Sequence, residues 1–155
     1  MRSDRLLVLA AHLKSDRRGH KKFDFSCFSQ GPRDPERHWC GSAGCALGEL
    51  PVVWPYAWEF GRSALFFDGV TYAVKLKTQN LVHANTSSAH AGAVEWFELS
   101  DAEVHALFHS AYVLPGETPI EALPESATAE QVADRFIAFV KWREEQVAQE
   151  NQNAS

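Results

Sequence analysis

Apolar residues recur at helical spacing near both ends of the chain and alternate with polar ones in the middle, which predicts helices packed on a small sheet. Near the start, Leu6, Leu7, Leu9, Ala10 and Leu13 form a broad apolar face on a helix from Asp4 to about Ser15, with Ser3 as its N-cap. Near the end, Thr128-Ala129-Glu130-Gln131 spells a capping box, and Val132, Phe136, Phe139, Val140 and Val147 continue one stripe to about Gln149. A second capping box, Ser100-Asp101-Ala102-Glu103, opens a helix carrying Val104, Leu107, Phe108 and Ala111. Ala91–Leu99 reads as the helix before it.

Period-two alternation marks the strands. Phe23, Phe25 and Cys27 alternate with Asp24, Ser26 and Phe28. Between Ala64 and Leu76, Asp68-Gly69 separates two β-rich runs as a type I′ hairpin requires, with Phe67 opposite Val70 and Leu65 opposite Tyr72. Val74 and Leu76 join those residues on one face, and Thr71, Ala73, Lys75 and Lys77 share the other. Leu81-Val82-His83 offers a third partner. Ser42 is the natural N-cap of a short helix that ends near Leu50, because Pro51 disfavours a helical residue before it. Val52–Phe60 reads as irregular structure or one helical turn. The sum is an α+β fold: a small antiparallel sheet around Asp68-Gly69, packed with about four or five helices. Residues 1–150 are expected to form a single domain, and 151–155, with neither apolar anchor nor charge, a frayed tail.

Composition narrows the functional classes. An apolar fraction of 45% with ten Phe and five Trp is that of a globular chain with an aromatic core. The run Leu6–Leu13 is far short of the roughly twenty residues needed to span a bilayer, so no membrane association is expected. Three cysteines and no leader-like start predict reduced thiols in the cytoplasm. The net charge of -5 hides an asymmetry: Met1–Cys40 carries nine Lys/Arg against five Asp/Glu, and His90–Ser155 three against twelve. That balance speaks against nucleic acid as a partner, and the basic run Lys14–Lys22 reads as a solvated turn.

Candidate chemistry concentrates at Cys40-Gly41-Ser42-Ala43-Gly44-Cys45-Ala46-Leu47-Gly48. On a helix capped by Ser42, Cys45 occupies the first turn, where the dipole favours thiolate; with His83, His90, His105 or His109 as base it could serve as a nucleophile. Cys27, His38, Cys40 and Cys45 are zinc-type donors, though not at knuckle spacing. His105 and His109, four apart, share a helix flank as two ligands could, or simply as a wet edge. A Cys40–Cys45 disulfide requires Cys40 to fold back from outside the helix. The alternative is structural: small residues that let the helix approach a neighbour while Cys45 fills an apolar space. Trp54 and Trp58 form either an aromatic partner-binding surface or part of the core. Phosphate loops, a Ser-His-Asp order and a His-Glu-x-x-His run are missing, so no cofactor is expected.

The N-terminal Leu-rich helix, Phe23-Asp24-Phe25-Ser26, Cys40-Gly41-Ser42-x-x-Cys45-Ala46-x-Gly48, Leu99-Ser100-x-x-Glu103-x-x-x-Leu107-Phe108 and the C-terminal amphipathic helix together resemble a group of small proteins of bacteriophages, prophages and some proteobacteria. The resemblance implies an accessory role toward a host or its defences and no established activity. The expectation is therefore a non-enzymatic module that binds a protein partner. The alternatives are a cysteine-dependent enzyme built on Cys45 and a small zinc-binding domain.

Overall fold

The helical faces and the alternating segment assemble into the α+β arrangement that their periodicities imply. The computed structural model describes residues 1–18, 23, 45–62, 72–79, 86–109, 114, 118 and 120–153. Its elements are α1 (Ser3–Lys14), a 3₁₀ turn (Ala46–Glu49), α2 (Leu50–Val53), β1 (Trp58–Arg62), β2 (Tyr72–Leu76), α3 (Thr86–Phe97), α4 (Asp101–Phe108) and α5 (Ala129–Asn153). Among the described residues no helix is long and apolar enough to cross a membrane.

Helix α1 buries Leu6, Leu9, Ala10 and Leu13, four of the five expected positions, while Leu7 is exposed. Ser3 does not cap it. The Arg2 N–H donates to the Phe97 carbonyl at 2.9 Å, which draws the helix start forward so that Ser3 is its first residue and Arg2 its cap. Lys14 pairs with Asp134 at one end of α1, while Met1 and Ser3 share a cleft with Arg143 and Val147 at the other, so α1 and α5 run antiparallel. The stripe on α5 buries Val132, Phe136, Phe139 and Val140, but Val147 is exposed. Val147 lies level with the start of α1, and the turns beyond it outrun that partner, since twelve residues of α1 span about 18 Å and twenty-five of α5 about 38 Å.

Both capping boxes form. Ser100 Oγ accepts from the Glu103 N–H and Glu103 Oε2 from the Ser100 N–H; Thr128 and Gln131 reciprocate in the same way. Helix α3 starts earlier than Ala91 and ends in a Schellman turn, with the Leu99 N–H on the Val94 carbonyl and Glu98 in the left-handed region at φ 52°.

The segment after Cys45 departs from expectation. Cys45 is extended and caps a 3₁₀ turn, not the third position of a helix begun at Ser42, which itself lies outside the described residues. Pro51 falls in the first turn of α2, where its missing N–H has no acceptor to lose, so it helps to start a helix instead of ending one. Glu49, closing the 3₁₀ turn, is 0% exposed and lies 2.6 Å from His12 Nε2, which ties this turn to α1.

The strand partner of Tyr72–Leu76 is also different. Trp58 pairs with Leu76, Phe60 with Val74 and Arg62 with Tyr72, so the partner of Tyr72 is Arg62 in place of the expected Leu65. The Asp68-Gly69 pair and the strand proposed at Phe25–Cys27 lie outside the described residues; Phe23 is half-buried against the core. The face assignment of β2 is right: Val74 and Leu76 are buried, and Lys75 on the other face meets Glu59 of β1 at 3.0 Å.

Packing explains the register. A Cβ on Gly92 of α3 would stand 2.9 Å from Trp58 Cη2 and 3.3 Å from Leu76 Cγ, so the opposed Trp58–Leu76 pair is seated beneath that glycine. Gly92→Ala therefore lowers stability by about 1 kcal/mol, the overpacking term of about 1–3 kcal/mol outweighing a helix-propensity gain of about 1 kcal/mol. Urea denaturation checks this as a lower midpoint at unchanged slope.

Candidate metal centre

Periodicity on α4 places Asp101, His105 and His109 four residues apart on one flank, beside the buried row of Val104, Leu107 and Phe108. Packing of α3 then brings His90 to that flank. The ring centroids of His90 and His105 are 4.2 Å apart, those of His105 and His109 4.5 Å, and those of His90 and His109 5.6 Å. One nitrogen from each ring lies within 4.8 Å of the others, and all three residues are half-buried. A tetrahedral zinc with Zn–N near 2.0–2.1 Å holds its nitrogens about 3.3 Å apart, so rotations moving ring edges by about 1 Å would close the set.

The groups around the rings are charged and ordered. Asp101 Oδ1 is 2.7 Å from His90 Nε2, and Asp101 Oδ2 is 3.8 Å from His105 Nε2. His90 Nδ1 is buried and has no hydrogen-bond partner among the described residues. Arg135 Nη1 of α5 donates at 3.4 Å to the carbonyl of His109, which is extended just past α4. Burial holds the Arg135 guanidinium down to about 10, so it remains a cation at neutral pH. Burial, with smaller contributions from the positive forms of His105 and His90, lowers the His109 pKa to about 4; Asp101 opposes this weakly. His109 is therefore neutral at pH 7, the state in which imidazole ligates.

The residues that stand out in the sequence lie elsewhere. Cys45 is 0% exposed, and the 3₁₀ turn it opens packs on α1, α2 and β2, whereas the histidines gather on α3 and α4. Cys27, His38 and Cys40, with His83, lie outside the described residues. Trp54 and Trp58 are 8% and 1% exposed and make edge contacts with Trp96, so their rings lie in the core, the second of the two readings. Of the three clustered histidines, His105 and His109 are legible in the sequence as an i, i+4 pair; His90 is not, because nothing local links it to α4. The signal in the sequence is Asp101-x3-His105-x3-His109, which puts three donor residues on one helical flank. A cleft of about 290 Å³ elsewhere, lined by Met1, Ser3, Arg143, Glu144 and Val147, brings together one cation, one carboxylate and aliphatic carbon. No family model, curated protein or solved structure matches the chain.

The lowered His109 pKa has a pH signature. Between its folded value of about 4 and an unfolded value of about 6.5, the unfolded chain binds more protons. The stabilising effect is whole above pH 6.5 and is lost as pH falls through 4. Thermal melts of the metal-free protein from pH 7.5 to 4 should fall more steeply than those of His109→Gln.

Proposed function

We propose that this protein is a metal-binding protein that takes a first-row divalent ion, zinc foremost, on His90, His105 and His109. The observation that carries the proposal is the convergence within 4.8 Å of three imidazole nitrogens, from α3, from α4 and from the residue that caps α4. Imidazole is a borderline donor suited to zinc, copper, nickel and cobalt, whereas magnesium and calcium take oxygen ligands. A buried imidazole nitrogen with no hydrogen-bond partner among the described residues, as at His90 Nδ1, is costly unless something accepts its lone pair, and a metal ion does so. Neutral His109 competes little with protons at pH 7. Asp101 supplies a negative charge beside the rings to offset that of the cation. An ion held here joins α3 to α4, and the energy of binding adds to that of the fold. The zinc-binding alternative is thereby carried by histidines on α3 and α4 in place of Cys27, His38, Cys40 and Cys45.

Titration of tag-free, metal-stripped protein with Zn2+ by calorimetry should give one ion per chain, with Mg2+ as the non-binding control. At a free zinc concentration of about one hundred times Kd the stabilisation is about 2.7 kcal/mol, a rise in melting temperature of about 5–10 °C. His105→Ala and His109→Ala should each weaken binding at least tenfold. Absence of stoichiometric zinc, or equal binding by the variants, excludes the site.

A further inference from the structure

We infer that Asp101 is the positioning residue of this site, holding His90 in the tautomer that ligates through Nδ1; this rests on the metal-binding reading of the three histidines. An ionised carboxylate only accepts hydrogen bonds, so the 2.7 Å contact between Asp101 Oδ1 and His90 Nε2 requires the proton on Nε2. In a neutral ring the lone pair then resides on Nδ1. That is the buried atom with no hydrogen-bond partner among the described residues. The oxygen pointing toward His105 is 3.8 Å from its Nε2, beyond hydrogen-bond range, so the grip of Asp101 is on His90.

The carboxylate is itself well placed. Asp101 is the first residue of α4, directly after Ser100, and the reciprocal bonds between Ser100 and Glu103 fix the backbone on both sides of it. Arg143 of α5 lies 3.4 Å from Glu103 Oε1 and ties this helix start to α5. Asp101 is also 76% exposed, so its replacement leaves the core untouched. Carboxylate, histidine and metal in series form the arrangement by which proteins fix the ring orientation and raise the basicity of a ligating imidazole.

The test uses the full chain, tag-free. Zinc affinity should fall in the order wild type, Asp101→Asn, Asp101→Ala: asparagine keeps an acceptor oxygen but loses the charge, and alanine loses both. The alanine loss is expected at about 10–100-fold, with little change in the circular dichroism or melting of the metal-free forms. Histidine 15N spectra supply a readout that a merely structural role would not move. Metal-free wild type above pH 8 should show His90 protonated at Nε2, and zinc-loaded protein should show the metal on Nδ1. Equal zinc affinity in all three proteins, or zinc on His90 Nε2, overturns the role of Asp101 while leaving the metal site intact. Failure of the wild type to bind zinc at all overturns both.

Discussion

Four aromatic rings in series bind the helical layer together. Trp54, at the end of α2, stands against Phe97 of α3 at 6.0 Å, Phe97 against Phe108 of α4 at 5.6 Å, and Phe108 against Phe136 of α5 at 5.0 Å. The three phenylalanines are fully buried. Each ring removes about 150–250 Å² from water and gains further from offset or edge geometry, so this chain of contacts dominates the local energetics. Helix α3 ends at Phe97 and α4 begins at Asp101, so Glu98, Leu99 and Ser100 alone turn the chain from one helix into the other. Glu98 makes that reversal in a left-handed conformation costing a non-glycine residue about 1–2 kcal/mol, held by the Schellman bonds on one side and the capping box on the other.

The histidine cluster follows from the same reversal. Once α4 leaves Ser100 in a defined direction, its Asp101, His105 and His109 flank runs past His90, and the i, i+4, i+8 spacing distributes its side chains along that ring. Helix α3 thus serves two surfaces. Gly92 settles onto the Trp58–Leu76 pair of the sheet, and His90, two residues earlier, reaches α4. A change in how closely α3 approaches the sheet would therefore move one member of the site relative to the other two.

Features that depend on a few adjacent residues are legible in the sequence. The Ser100 and Thr128 capping boxes form as spelled, since both ends of each bond lie within one helical turn. The buried face of β2 is legible because side chains alternate by covalent geometry alone. Expectations fail where a local rule meets a distant competitor. The Asp68-Gly69 turn signal implies Leu65 opposite Tyr72, but the buried Trp58 brings β1 into register with Arg62 opposite Tyr72. Pro51 reads locally as the end of a helix, yet it occupies the first turn of the next one. Cys45, the most conspicuous chemical residue of the chain, is sealed in the core.

The α+β class, the main amphipathic faces and the placing of His105 with His109 on one flank are all written in the order of residues. Each follows from backbone periods of 3.6 and 2 residues and from hydrogen bonds between near neighbours. Strand register, the burial of Cys45, Trp54 and Trp58, and the arrival of His90 beside Asp101 emerge only when the elements pack. Those outcomes depend on which ring fills which space between elements far apart in the chain, and packing of that kind leaves no periodic trace in the sequence.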